Sequence, residues 1–304
     1  MNVFVIIVIY NGVRNNWIQK CFDSVFNSSV SCEIVAIDNN SSDNSVEYIK
    51  ENYKNVHLIV NSENKGFGGA NNQGIKLALE LGGEYFFLLN QDAYVNVDTI
   101  EKLVKMSKLY PEFGVLSPMH LNGDGKKIDY LFSKCIVPNE TPNLISDLYL
   151  NQIKDIYPGR ANAAAWLLTI KCLRKVGGFN PVFFHYGEDS NYIHRLWYHN
   201  MKLGIIPSVF IYHDRESRVE SKFDNKAELS NRLLLLNLSN PNNLLNDKIL
   251  LKRLKYKLIK TLFLDINNFK KVLNDYLYFK KLLPKVKFNN KKVMSKDEFL
   301  FIKN

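Results

Sequence analysis

Long apolar runs are missing from this chain. No stretch approaches the ~20 residues that a membrane-spanning helix needs. The opening MNVFVIIVIYNG has no basic leader and no small-residue cleavage pattern, and its apolar run soon stops at Asn11-Gly12, so it reads as a first strand rather than a signal peptide. Paired cysteines are missing too. Cys21, Cys32, Cys135 and Cys172 show no ligand-like or disulfide-like spacing, which excludes a zinc frame or a disulfide scaffold and points to ordinary core thiols in a reducing compartment. Acidic residues are scarce at one end only. After position 220 there are 19 Lys and Arg against 7 Asp and Glu, and before it 21 against 23. The net charge of +10 therefore belongs to the tail, and the two parts are expected to meet different partners. No internal repeat is visible.

What is present is ample apolar material, 46% of 304 residues, arranged in alternating periods. Val3–Tyr10, Glu33–Asp38, Val56–Val60, Tyr85–Leu89 and Phe113–Leu116 read as buried strands. Between them, Trp17–Phe26, the residues around Val46 and Ile49, the Ile75–Leu81 stretch and the Ile100–Leu109 stretch recur at helical spacing. Asp43 and Asp98 stand as helix caps. This alternation calls for a parallel, doubly wound sheet with right-handed crossovers. From Ser117 to Pro158 the pattern dissolves. It returns with Ala161–Thr169, a short helix ended by Gly177-Gly178, a helix opened by Glu188-Asp189, and short strands Leu203–Ile206 and Val209–Tyr212. Beyond Ser217 only Leu/Lys/Asn helices remain.

The strand Tyr85–Leu89 runs straight into Asn90-Gln91-Asp92. A carboxylate is costly to bury unpaired, so Asp92 is expected where the sheet opens to solvent. In open α/β sheets that edge, at the carboxyl ends of the strands, is where ligands bind. Asp92 is therefore read as a metal holder and the metal as a diphosphate holder. Asp38 ends the second strand. Its residue type fits either an Asx-turn before Asn39 or acceptance of a base imide N–H, with Tyr10 lying against the ring. The stretch NSENKGFGGANNQGI joins small residues to a helix start, which suits either close approach to an anion or a flexible loop. It lacks the position and spacing of a dinucleotide fingerprint.

These pieces in this order resemble an inverting family-2 glycosyltransferase with the GT-A fold, of the kind that extends bacterial surface polysaccharides. The matching segments are VIIVIYNG, VAIDNNSSDNS, NKGFGGANNQGI, FFLLNQDAYV and LRKVGGFNPVFFHYGEDSNYIHRL, with His213 after them. The resemblance implies a Rossmann-like, mostly parallel sheet over 1–217, with 1–116 binding the nucleotide sugar and 117–217 holding the acceptor and the base, followed by a basic helical region over 218–304. It implies donor contacts at Tyr10, Asp38, Asn64, Gly66, Asn71, Asn72 and Asn90. Family members usually carry a basic residue where Asn71 stands. It implies Mg2+ or Mn2+ at Asp92 and His213. Asn90 replaces the first Asp of the usual acidic signature, so donor phosphates must complete the metal shell. Asp214 is the alternative ligand to His213. Asp189 is implied as the base, with Glu188 orienting it or touching the acceptor, and the helix start favouring both as carboxylates.

The activity so implied is transfer of a sugar from a UDP- or dTDP-linked donor, with inversion, to a hydroxyl of a lipid-linked oligosaccharide, in the cytoplasm or on the inner face of the membrane. The alternatives are a sugar nucleotidyltransferase and a degenerate nucleotide-sugar-binding scaffold. Trp166, Trp197 and Phe183-Phe184 are either a sugar platform or core. The basic tail over 221–304 reads either as an anionic-membrane binder or as helices packed on the catalytic part. Nucleic acid is not expected, because no nucleic-acid-binding module is visible.

Overall fold

The structure, a computed structural model, describes residues 1–215, 226–243, 247–264, 266–295 and 297–303. The expected boundary at 217/218 lies outside these residues. Strand β1 (Val3–Ile9) is buried on both faces. Val3, Val5, Ile7 and Ile9 join one core cluster, while Phe4 and Ile6 join the other. The period-2 alternation of a strand thus feeds two cores at once, which is why its sequence reads as a continuous apolar run.

Strands β2 (Cys32–Asp38), β3 (His57–Val60) and β4 (Tyr85–Asn90) lie parallel to β1 in the order β3-β2-β1-β4. Helices α1 (Trp17–Phe26), α2 (Ser45–Asn52) and α3 (Gly66–Glu80) make the crossovers. A short β5 (Ala93–Val95), helix α4 (Thr99–Leu109) and β6 (Phe113–Asn122) follow. The stretch expected to be irregular contains two short helices, α5 (Tyr130–Ser133) and α6 (Leu144–Tyr149), and the two-residue β7 (Tyr157–Pro158).

One antiparallel strand within the mostly parallel sheet is β8 (Ala165–Thr169). It inserts between β4 and β6 and runs antiparallel to both. Helices α7 (Ile170–Val176) and α8 (Glu188–Tyr198) precede β9 (Lys202–His213), which is one strand and not the two expected. Its pairing with β6 slips between Pro118 and Met119, so the polar break in the sequence is an irregularity within a continuous strand. The sheet remains mostly parallel along its length.

The cap expectations fail in detail. Asp98 precedes α4 without a capping hydrogen bond and pairs with Lys102 instead. Asp43 accepts from the Ser45 N–H at 3.1 Å, while the residue before α2 is Asn44.

In the tail, α9 (Lys226–Leu238), α10 (Asp247–Leu264) and α11 (Ile266–Met294) build a third cluster. There Leu235, Leu238, Phe279, Leu283 and Val286 cover Val182 and Phe183. Asn289 donates to Asn180 Oδ1 at 2.8 Å, and Asn290 to the Leu238 carbonyl at 2.8 Å. The chain then returns to the catalytic part. The Phe299 N–H donates to the Arg174 carbonyl, the Gly178 N–H donates to the Leu300 carbonyl, and Ile302 enters the main core. Of the two readings of the tail, packing on the catalytic part is therefore realised for α9, α11 and residues 299–302.

Candidate active site at the carboxyl edge of the sheet

Strand registers place the candidate residues. Asp38 pairs with Ile9, and Asn90 with Val8, so the ends of β2, β1 and β4 lie side by side. At ~4.8 Å per strand, Asp38 and Asn90 are about 10 Å apart along this edge. Gln91 locks it. Its Oε1 accepts from the Tyr10 N–H and its Nε2 donates to the Tyr10 carbonyl, both at 2.9 Å. The Tyr10 ring itself is exposed.

Asp38 is buried. Its Oδ2 accepts from the Ser41 N–H at 3.1 Å, which realises the turn reading. Its Oδ1 is also buried and has no hydrogen-bond partner. A buried acceptor left open is costly, and it marks where a ligand donor fits.

The Asn/Gly stretch behaves differently from expectation. It is not a loop that enters a helix near Ile75, because α3 already begins at Gly66. Gly66 has φ +72°, and a Cβ there would lie 2.0 Å from the Phe184 carbonyl oxygen. At Gly68 a Cβ would meet the Phe179 side chain at 2.8 Å. These small residues admit neighbouring protein, not ligand.

The asparagines of this stretch are also turned inward. Asn64 Oδ1 accepts from the Gly66 N–H and from Asn39 Nδ2. Asn39 Oδ1 in turn accepts from the Lys65 N–H at 2.8 Å. Asn71 donates to the Phe67 carbonyl of its own helix. Asn72 clamps Phe179, donating to its carbonyl at 2.8 Å and accepting from its N–H at 2.7 Å. The side chains of Asn64, Asn71 and Asn72 thus make internal contacts, and Gly66 packs against Phe184. Asn39, which sequence reasoning passed over as part of a turn, organises the group.

The side chains of Asp92 and His213 lie next to each other. Both are buried, and His213 Nε2 lies 3.4 Å from Asp92 Oδ1 and 3.5 Å from the Asn90 amide. His213 Nδ1 lies 3.6 Å from Asp129 Oδ2, and Arg215 Nε is 3.3 Å from the same oxygen. The Asp129 carboxylate thus lies on the Nδ1 side of the ring while Nε2 faces Asp92 and Asn90. Two adjacent ligands about 2.1 Å from a divalent ion are ~3 Å apart, so Asp92 and His213 fit two corners of its shell. Among the described residues no three His, Cys, Asp or Glu side chains converge to hold a metal unaided. Asp214, the alternative ligand, instead accepts from the Trp17 indole N–H at 3.0 Å.

A cleft of about 430 Å3 opens beside Asn90 and runs to Glu188 and Asp189, with Arg160, Lys134, Glu140 and Arg215 on its walls. A hollow of similar size, about 470 Å3, lies at the amino edge near Met1, Glu84 and Lys108, away from all of these groups. Gly187, in a left-handed conformation, delivers Glu188 and Asp189 to the start of α8.

Glu188 is buried, its Oε2 has no hydrogen-bond partner, and burial followed by the neighbouring Asp189 charge pushes its carboxyl up to about 8. Desolvation therefore outweighs the helix start, against the expectation of two ionised groups. Asp189 is also raised by burial, opposed by the Ser190 N–H at 2.6 Å and by the Arg160 charge. The arrangement is a neutral acid beside a carboxyl of raised basicity, in a cleft that reaches Asn90 at the carboxyl edge of the sheet.

Of the aromatic candidates, Trp166 and Phe183 are core, while Phe184 and Trp197 are exposed. All four thiols are raised by burial, and Cys21 and Cys172 are core residues while Cys32 and Cys135 are half-buried.

Residues 4–144 match the family Glycosyl transferase family 2. A low-salt glycan biosynthesis hexosyltransferase of Haloferax volcanii, Agl10, is 26% identical over 245 residues, spanning 76% of this chain and 75% of that protein. An uncharacterized glycosyltransferase of Rickettsia felis is 26% identical over 183 residues, which is 59% of this chain and 28% of that one. Among solved structures, residues 1–349 of S. aureus TarS in complex with UDP superpose with a TM-score of 0.53 at 15% identity, covering 98% of this chain and 88% of that chain. GalNAc-T7 with UDP, GalNAc and Mn2+ gives 0.54 at 16% identity, covering 77% and 48%. These structural likenesses speak for the fold. The family match assigns residues 4–144 of this chain to a glycosyl transferase family 2 domain, and the structural likenesses give it a GT-A fold.

Proposed function

We propose that the protein transfers a hexosyl or deoxyhexosyl group from a UDP- or dTDP-sugar, with inversion, to a hydroxyl of a lipid-linked oligosaccharide in surface polysaccharide synthesis. The observation that carries this reading is the cleft joining Asn90, beside the Asp92–His213 pair, to the buried Glu188 and the partly exposed Asp189. UDP in the TarS and GalNAc-T7 structures supports the donor class. The nucleoside lies over Asp38, whose open Oδ1 accepts the imide N–H of the base, and Tyr10 covers the ring.

Asp189 takes the proton of the acceptor hydroxyl as its oxygen bonds to the anomeric carbon. The bond from that carbon to the phosphate oxygen breaks on the opposite face, and the nucleoside diphosphate leaves with the electron pair. A Mg2+ or Mn2+ held by Asp92 and His213 together with donor phosphates would neutralise the leaving diphosphate. Glu188, protonated near neutral pH, places Asp189 and can donate a hydrogen bond to the acceptor.

Calorimetry tests the donor half. UDP should bind more tightly with Mn2+ than without it, and Asp92→Ala should abolish that difference. Equal affinities in the parent protein would remove the metal role. Asp189→Asn tests the other half. It should leave UDP affinity unchanged and lower turnover by about 10^2–10^4, and unchanged turnover would remove Asp189 as the base.

A further inference from the structure

Helices α10 and α11 form an antiparallel hairpin, and Leu251 and Leu254 of α10 meet the cluster around Phe279 and Leu283 at its base. The tip, where α10 ends at Leu264 and α11 begins at Ile266, lies about 15–20 Å further along α10 at ~1.5 Å per residue. Apolar side chains are exposed there: Phe263 is 78% exposed, Leu264 74% and Ile266 64%. Tyr256 and Ile259 are exposed as well, and with Phe263 they recur at spacings of three and four, which places them in one outward stripe. Leu251, Leu254, Leu258 and Thr261 are the less exposed positions of the opposite face. Lys252, Arg253, Lys255, Lys257 and Lys260 are exposed around the stripe. Residues 252–271 contain seven basic residues and one acidic one.

We infer that this tip and the outer face of α10 dock on an anionic lipid surface, with Phe263, Leu264 and Ile266 entering the headgroup region and the lysines meeting lipid phosphates. An apolar stripe bordered by lysines is the composition that binds in the plane of such interfaces. A second copy related by a two-fold axis would set this positive face against itself. No helix among the described residues is long and apolar enough to cross a membrane, so the contact is peripheral. The inference deepens the reading above, and depends on it only for the lipid-linked acceptor that the docking would bring within reach.

The test is co-sedimentation of the full-length chain with vesicles of phosphatidylcholine alone or mixed with phosphatidylglycerol, at low and high salt. The chain should sediment only with phosphatidylglycerol present and be released by salt. The triple variant Phe263→Ser, Leu264→Ser, Ile266→Ser should lower partitioning by at least about tenfold. The variant Lys252→Glu, Lys255→Glu, Lys260→Glu should abolish it. Both variants should keep the parent's UDP affinity and melting temperature.

Failure of the parent to sediment, equal binding to neutral vesicles, or unchanged binding by either variant would overturn the inference. So would ultracentrifugation showing that the parent is a dimer and the variants are monomers, which would assign the face to a second copy. UDP binding is read without vesicles, so failure of the donor reading shows there and not in sedimentation.

Discussion

Glu188 and Arg195 show at the scale of single residues how burial rewrites chemistry. Glu188 is held up to about 8 against an ordinary 4.5. Between these values the unfolded chain loses its proton and the folded one keeps it, so the folded state binds more protons and stability falls as pH rises through this window. Glu188→Gln should flatten that slope between about pH 4.5 and 8, measured by denaturant unfolding at a series of pH values. Arg195 is fully buried. Its guanidinium donates to the Val176 carbonyl at 2.7 Å and to the Gly178 carbonyl, and its Nε donates to Asn191 Oδ1. Arg195→Met should cost roughly 2–4 kcal/mol by leaving these carbonyls buried and unpaired, read as a lower urea midpoint. Sequence inspection finds Arg195 only as one letter of YIHRL, since nothing in spacing tells a buried Arg from a solvated one. Asp38, Asp92 and Asp189 were legible because each ends a strand or opens a helix, places where a carboxylate stands out against its apolar neighbours.

Helix α3 makes the corresponding point for elements. Its first turn is fixed by the approach of Phe184 to Gly66 and of Phe179 to Gly68, with Asn72 clamping Phe179 from the next turn. The glycines therefore couple the donor edge to the segment that carries Glu188 and Asp189. Gly66→Ala would combine a positive φ with a carbonyl contact, and should lower stability by about 1–3 kcal/mol and also lower turnover. Gly69→Ala, which meets only the Lys65 Cβ at 3.2 Å, should be milder in both thermal shift and activity. The helix itself was readable from Ile75 and Ala78, but not its start, because Gly and Asn are the residues that ordinarily mark loops. Strands β1 to β4 were legible as apolar runs. The antiparallel direction of β8 was not, since Ala165–Leu168 is buried on both faces and carries no sign of which way it runs. The unity of β9 was hidden by Pro207-Ser208, polar-looking residues at the slip in its pairing with β6.

For the whole molecule, the tail is not an appendage. Its helices cover Phe183, and its last described residues return to α7, where Leu300 and Ile302 are buried and the Leu300 carbonyl caps Gly178. Deleting residues 297–304 should remove about 3–6 kcal/mol of burial from these two side chains. The expected result is a lower melting temperature with turnover lost in parallel, because Gly178 adjoins the Phe179 that Asn72 holds. The basic composition of the tail was plain in the sequence, but its return to the core was not, since Phe299, Leu300 and Ile302 form too short a run to show a period. That return also orders events in time. The Gly178 N–H finds its partner 122 residues later in the chain, and a contact of that separation cannot form until the intervening residues have been made. The partner of the Gly178 N–H is therefore made well after the whole of the family-matched segment 4–144, and a fragment that stops before residue 299 leaves the segment ahead of Glu188 and Asp189 without that support.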